Sequence, residues 1–375
     1  MKKSKRVAVC VTNDLITDQR VARSCDTLVE MGFNVLLIGR KLKNSLPLSD
    51  VSYRCKRMKL LFNKGPLFYA EYNIRLFFKL LFNNSNILLA NDLDTLLACY
   101  LVHKIKKTVV VYDTHEYFTG VPELVNRNVV RNIWETIEKV IFPKLKDVIT
   151  VNDSIAQLYY EKYNVKVNVV RNVPVRKELP ENISRADLGL PENKKIILLQ
   201  GAGININRGA EEAVESMKYV DDKVILLVIG GGDVLHILQN IVSENGLEEK
   251  VLFIPKLPPD ELFKYTVCAD LGLSIDKDTN INYRYSLPNK LFDYINAGVP
   301  ILASRLPEIE KIINKYKIGT FIENHNPEHI SKKIFFCINN DSLIAEWEKN
   351  IKIAKEELNW ENEKRIFKNI YQKYL

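Results

Sequence analysis

Two stretches of this 375-residue chain bring together residue types suited to a nucleotide diphosphate. In Asn282 to Ser304, Pro288 and Asn289 open a helix whose first turns carry Lys290 and Asp293, and Gly298-Val299-Pro300 ends it and launches a strand. A helix N-terminus offers free N–H groups to a phosphate, a lysine adds a point charge, and a carboxylate one turn later can accept hydrogen bonds from vicinal ribose hydroxyls. Upstream, Gly201-Ala202-Gly203-Ile204-Asn205-Ile206-Asn207-Arg208-Gly209 follows an apolar run and leads into a helix, so the backbone can approach a ligand closely and Arg208 can reach a phosphate. Isoleucine at 206 stands where a complete dinucleotide fingerprint would have glycine. Gly230-Gly231-Gly232-Asp233 reads equally as a turn beneath a base or as a strand-to-helix turn with Asp233 as N-cap. Pro255-Lys256, after the next strand, offers further backbone groups to a base.

A second set of polar residues follows apolar runs in the first half: Thr12-Asn13-Asp14, Asn91-Asp92-Leu93-Asp94, and Asp113-Thr114-His115-Glu116. The carboxyl ends of strands in open α/β sheets are where ligands bind. His325 and His329 have i, i+4 spacing, but Pro327 lies between them and no third ligand is near, so they read as a solvated loop and not as a metal site. Asn83 and Asn182 fall in glycosylation sequons, which are without meaning in a cytosolic chain.

The Pro288-Asn289-Lys290-Leu291-Phe292-Asp293-Tyr294 segment followed by Ala297-Gly298-Val299-Pro300-Ile301 closely resembles the donor-binding motif of the retaining, GT-B-fold glycosyltransferases of family 4, also called group 1. The likeness runs from Val7 to the helices near Trp360. It implies an α/β protein of two Rossmann-like doubly wound domains facing a central cleft, a nucleotide-diphosphate sugar as donor, and no cofactor or metal. Of the family's two spaced glutamates, the one that holds the ribose falls on Asp293 and the one that faces the sugar on Tyr285, with Asp276, Asp278 and Asn282 as nearby substitutes. Arg208 takes the place of one of two diphosphate-binding cations, Gly203 or Ala202 replaces the other, and Lys290 compensates. The resemblance thus implies His115, Arg208 and Lys290 as catalytic groups. It places Gly203, Arg208, Gly231, Tyr285, Asn289, Lys290 and Asp293 on the donor, and Asp14, Asp92 and Glu116 on the acceptor side.

These residues need a scaffold, and the hydropathy pattern supplies one: short apolar runs alternate with amphipathic stretches, as in parallel sheets covered on both faces. Strands are expected at Arg6–Val11, Asn34–Ile38, Ile87–Ala90, Thr108–Tyr112, Val148–Val151 and Val167–Val170, then at Ile196–Gln200, Val224–Ile229, Val251–Ile254, Leu271–Ile275 and Pro300–Ala303. Helices are expected between them, with Gly32 stopping the first and Asp153-Ser154 capping the last of the first half, Ser154–Tyr163. The expected divisions are residues 1–175, an acceptor-binding domain; 176–345, a donor-binding domain; and 346–375, amphipathic helices, of which the resemblance implies that the C-terminal one packs back on the first domain.

Six scattered cysteines without a CxxC pair indicate a reduced, cytosolic, metal-free protein. The basic start followed by Val7–Val11 is too short for a signal sequence and reads as a first strand, and no apolar run reaches the ~18–20 residues that cross a bilayer. The net charge of +8 comes from the first half, where residues 40–79 alone hold ten Lys and Arg against Asp50 and Glu71. From 54 to 82 these cations interleave with Phe, Leu and Tyr, which is read either as a core helix with a basic face or as a surface for anionic lipid at the inner face of the membrane. No nucleic-acid-binding module is present. The expected activity is transfer of a sugar from a nucleotide donor to a glycan or polyprenyl-linked acceptor in surface polysaccharide assembly. A sugar-nucleotide 2-epimerase of the same fold and a noncatalytic sugar-nucleotide-binding protein are the alternatives.

Overall fold

The computed structural model describes residues 4–16, 18–45, 47–48, 50–121, 124, 127–180 and 183–375; the Asn182 sequon lies outside them. The chain forms two units, Met1–Asn172 with Glu363–Leu375, and Val173–Asn362. The first division thus falls three residues before the expected 175. The helix Asp341–Glu357 belongs to the second unit, and only the residues from Glu363 onward join the first.

The first unit holds seven strands: β1 Arg6–Cys10, β2 Asn34–Lys41, β3 Arg54–Lys59, β4 Ile87–Asn91, β5 Val109–Thr114, β6 Asp147–Thr150 and β7 Asn168–Val169. They pair in the order β3-β2-β1-β4-β5-β6-β7, every pairing parallel. The central strands are apolar because helices cover both faces: Val7, Ala8, Val9 and Cys10 are fully buried, as are Leu88, Leu89 and Ala90. From β1 the chain builds outward to β2 and β3, then returns to the other side of β1 as β4. The ends of β1 and β4 therefore form a topological switch point, with no loop crossing above them.

The second unit repeats the plan with β8 Lys195–Gly201, β9 Val224–Gly230, β10 Val251–Pro255, β11 Leu271–Ser274, β12 Ile301–Ser304 and β13 Gly319–Ile322, ordered β10-β9-β8-β11-β12-β13. Its switch point lies between β8 and β11. Tyr294, on the helix Asn289–Ala297, lies under Gly272 of β11, where an added Cβ would come 2.5 Å from the ring. Its buried hydroxyl is 3.0 Å from the Leu198 carbonyl and 3.1 Å from that of Leu273, so the helix is fixed against the two strands that flank the switch point.

Several elements differ from the sequence reading. The 54–82 block is not one helix: Arg54–Lys59 is an edge strand on β2, and the helix begins at Gly65 and runs to Leu81. Strand β13 and the helices Pro307–Tyr316 and Pro327–Ile338 went unassigned. His329 therefore lies in a first helical turn, its Nε2 2.5 Å from Glu323, whereas His325 does lie in the loop before that helix, half-buried and 3.0 Å from the Ile275 carbonyl. The helix Asp153–Tyr163 is capped by Asn152, whose Oδ1 accepts from Ile155 N at 2.8 Å.

Glu363 explains why the C-terminal residues join the first unit. Its carboxylate accepts from the Arg171 backbone N–H at 2.8 Å and from the Arg171 side chain at 3.1 Å, while Phe367 and Tyr371 are fully buried and Tyr371 meets Phe33 edge-on. Phe367→Ala should therefore cost the first unit about 3–5 kcal/mol, although the residue is eight positions before Leu375. Urea unfolding followed by tyrosine fluorescence checks this, and a loss below about 1 kcal/mol would mean the helix is an appendage.

Candidate active site

The loop after β8 and the loop after β11 leave adjacent strands at the switch point, and their side chains meet there. Asp276, two residues past β11, is fully buried. Arg208 Nη1 lies 3.3 Å from its Oδ1, and Lys290 Nζ, from the first turn of the helix Asn289–Ala297, lies 3.2 Å from its Oδ2. Arg208 also stacks over the Tyr283 ring, 4.8 Å from guanidinium to centroid. Two cations share one buried carboxylate, so the cluster carries an excess positive charge beside a helix N-terminus. This is the electrostatic setting in which a diphosphate binds.

Asp293 lies one turn beyond Lys290, and its Oδ2 accepts a 3.0 Å hydrogen bond from Gln200 Nε2. The Gln200 Oε1 in turn accepts from Thr266 at 2.8 Å. Gln200 fixes the carboxylate, a role the sequence did not single out. Its only signal was its place just before the glycine loop. Of the substitutes for the family's first glutamate, Asp276 is turned to the two cations and Asp278 pairs with Arg284 at 3.1 Å. Tyr285 ends the short helix Ile281–Arg284, and Asn289 is exposed at the start of the next.

The glycines divide into two kinds. A Cβ on Gly230 would come 1.8 Å from the Gly201 carbonyl oxygen, and one on Gly232 would come 2.0 Å from that of Ile204. These two let the loops after β8 and β9 pack together, joined by Ile204 N to Gly231 O at 2.7 Å and Gly231 N to Gly201 O at 3.2 Å. Gly201, Gly203 and Gly231 have no atom nearer than 3.5 Å to such a Cβ, so Gly203 and Gly231, the two expected on the donor, have room above them. Asp233 is not the N-cap expected: Val234 occupies that position, without a side-chain cap.

In the first unit, β4 and β5 carry the second cluster. His115 donates its backbone N–H to Asp92 Oδ1 at 2.9 Å, its Nδ1 lies 3.4 Å from Asp92 Oδ2, and its Nε2 lies 3.2 Å from Asn91 Oδ1 and 3.7 Å from Asp113 Oδ2. Burial pulls the His115 pKa down, but the Asp92 and Asp113 carboxylates outweigh it and hold it above the ordinary histidine value. Asp113 is itself clamped by Arg20, at 3.2 and 2.7 Å, and Arg20 also donates to the Val170 carbonyl at 2.8 Å. Arg20, which no motif in the sequence singles out, is thus the group that orders this cluster. Asp94 accepts from Thr12 Oγ1 at 2.6 Å, and burial together with the charge of Asp92 pushes it up to about 7. Asp14 is held by Arg57 of β3 at 2.7 Å with both side chains largely buried, which takes Arg57 out of the exposed basic face. Glu116 faces instead into an apolar groove of the same unit. Among the described residues no three His, Cys, Asp or Glu side chains are grouped so as to hold a metal ion, and no helix is long and apolar enough to cross a membrane.

Comparison with known proteins follows the same division. Residues 180–354 match the family model of glycosyl transferases group 1. An uncharacterized glycosyltransferase of Methanocaldococcus jannaschii is 21% identical over 258 residues, 64% of this chain and 61% of its own, and a second from the same organism is 24% identical over 246 residues. The chain spans about three-fifths of the length of these curated relatives. Among solved structures, sucrose-phosphate synthase from Thermosynechococcus elongatus has a TM-score of 0.82 at 16% identity, covering 99% of both chains. Anabaena HepE in complex with UDP and glucose has a TM-score of 0.75 at 14% identity, covering 98% of both. These likenesses show the GT-B fold.

Two outcomes follow from this geometry. Asp276→Asn removes the shared counter-charge and should destabilise the second unit by about 3–5 kcal/mol. UDP should then raise the melting temperature of the variant more than that of the wild type, because it returns negative charge to the same cations; equal shifts would separate the cluster from the ligand. In the first unit, a folded Asp94 that titrates near 7 holds a proton that the unfolded chain has lost above about 4. Its contribution therefore becomes more unfavourable as pH rises through that window and is constant above it. Asp94→Asn, which can still accept from Thr12, should gain stability over wild type in urea between pH 5 and pH 8, and a pH-independent difference would contradict the raised value.

Proposed function

We propose that this chain, whose residues 180–354 match the group 1 glycosyl transferase family model, moves a sugar, with retention, from a nucleotide-diphosphate donor to a hydroxyl of a glycan or lipid-linked acceptor in surface polysaccharide assembly. The observation that carries this reading is the convergence of Arg208 and Lys290 on one buried carboxylate at the switch point of the second sheet. The name of the Anabaena relative's complex, with UDP and glucose, supports a nucleotide sugar as the donor class.

On this reading Asp293, held by Gln200, takes the ribose hydroxyls, and Gly203, Gly231 and Asn289 border the donor. Arg208, Lys290 and the N–H groups at the start of the helix Asn289–Ala297 meet the diphosphate. As the bond from the anomeric carbon to the phosphate oxygen lengthens, negative charge grows on the leaving diphosphate, and preplaced cations stabilise it without reorganisation. The acceptor hydroxyl bonds to the anomeric carbon on the face the diphosphate leaves, and its proton passes to the departing phosphate oxygen. Charge stabilisation by Arg208 and Lys290 is proposed to serve in place of a metal. In the first unit His115, kept basic by Asp92 and Asp113, is the group assigned to catalysis, with Asp14, Asp92 and Glu116 on the acceptor side.

Arg208→Ala and Lys290→Ala should each lower transfer by about 10²–10³-fold, as removal of one such donor commonly does. His115→Ala should lower turnover with little change in UDP affinity. Turnover of a panel of UDP, GDP and ADP sugars, read beside UDP binding by calorimetry, is the test. Full activity and wild-type UDP affinity in both cation variants would remove the diphosphate assignment.

A further inference from the structure

The helix Gly65–Leu81 of the first unit has two different flanks. On one, it forms with the helices Leu93–Lys106 and Asn128–Ile141 a groove of about 760 Å³, walled by Ala70, Phe77, Leu101, Phe118 and Trp134 among others. That is the size of a small-molecule site, and its lining is mostly apolar, with Asn73, Glu116 and Arg127 as its polar members. On the other flank, a hollow of about 650 Å³ is lined by Lys56, Lys59 and Lys79. Ile74 and Phe78 line both, so the two are neighbours on either side of this helix.

Neither Lys56 nor Lys79 has a carboxylate partner among the described residues, and the two ammonium groups face one another closely enough that burial and Lys56 together lower the Lys79 pKa. Like charges held together without a counter-ion call for an anion. The apolar side chains at the mouth are also left in water: Leu67, Ile74 and Phe78 on the first helix, Leu101 and Ile105 on the second, and Ile133 on the third are all exposed. At the inner end the groove reaches Glu116, the residue after His115. An apolar slot with unpaired cations on the other flank of the same helix and an acceptor-side residue, Glu116, in its wall fits an amphiphile whose head is anionic.

We infer that this groove holds the hydrocarbon chain of a phosphate-bearing lipid, with its phosphate against Lys56 and Lys79. This rests on the reading of the protein as a glycosyltransferase and names its acceptor as lipid-linked.

Calorimetric titration of the full chain with hexyl, octyl and decyl phosphate below their micelle concentrations tests the inference, with inorganic phosphate and octyl glucoside as controls. Burial of each methylene in the groove should tighten binding about threefold to fourfold. Inorganic phosphate should show none of this chain-dependent gain, and octyl glucoside should bind about tenfold or more weakly than octyl phosphate. Ala70→Phe, at an exposed position on the groove wall, should abolish the dependence on chain length. Ile133→Gln serves the same purpose if that variant folds poorly. Lys56→Gln/Lys79→Gln should keep the chain-length dependence but lose the preference for phosphate over glucoside. Binding that ignores chain length, or is unchanged in Ala70→Phe, overturns the inference, as does self-association of the wild type that Ala70→Phe removes. UDP binding in the same samples keeps the two readings apart. UDP affinity without an alkyl phosphate response defeats only the groove, and the reverse defeats the donor site.

Discussion

A carboxylate with no exposure to solvent is tolerable only where cations reach it, and Asp276 places that demand at the end of a central strand. The demand is met from two directions, by Arg208 from the loop after β8 and by Lys290 from the helix that follows β11. Each contributor has its own support. The Arg208 loop turns into its helix at Gly209, where a Cβ would strike the Ile275 carbonyl oxygen at 2.2 Å, and the Lys290 helix is tied to β8 and β11 by Tyr294. His325 completes the surroundings from below, 3.0 Å from the Ile275 carbonyl that immediately precedes Asp276. The positions of both cations therefore follow from satisfying one buried charge, and whatever binds them meets groups already in place.

The two sheets share a topology and differ in the sign of what they gather at the switch point. In the second unit two cations surround one acid. In the first, Asp92, Asp94 and Asp113 surround His115, with Arg20 as the nearest fixed cation. Burial, and after it the neighbouring Asp92 charge, raises the pKa of Asp94, and the carboxylates of Asp92 and Asp113 raise that of His115 against its own burial. The same geometrical accident of strand order thus yields an anion-seeking site in one unit and a basic, proton-holding site in the other.

Most of the strands could be read from the sequence because parallel strands buried on both faces are continuous apolar runs. The exceptions have physical reasons. Strand β3, Arg54–Lys59, pairs on one side only and buries Met58 alone, so its charges read as a surface helix, whereas lysines on an edge strand discourage pairing with another chain. Strand β13 is four residues long and starts at a glycine packed 2.0 Å from the Ile301 carbonyl oxygen, which leaves too little pattern to recognise. The candidate site was legible as individual residues, since Arg208, Lys290, Asp293 and His115 follow strands or open a helix. What joins them was not. The partnership of Asp276 with two cations spans 68 residues to Arg208, and that of Arg20 with Asp113 spans 93, and no local spacing encodes either.

The surplus charge of the first half carries a similar lesson, because its sum conceals its distribution. Arg20 and Arg57 are consumed by buried carboxylates, Lys106 caps the end of the helix Gly65–Leu81 through the Leu81 carbonyl, and Arg75 pairs with Glu71 on the same helix. These cations stabilise the unit and attract nothing from outside. Other cations of this half, such as Lys41, Lys43, Lys64 and Lys107, are spread over the surface, but Lys56, Lys59 and Lys79 gather around one hollow, with exposed apolar side chains on the neighbouring flank. A protein held at a surface by diffuse charge alone would have no use for a deep apolar slot, and one that bound apolar chains alone would not leave two ammonium groups face to face. Only a ligand with both properties makes sense of the pair, and the helix Gly65–Leu81 is where the two meet.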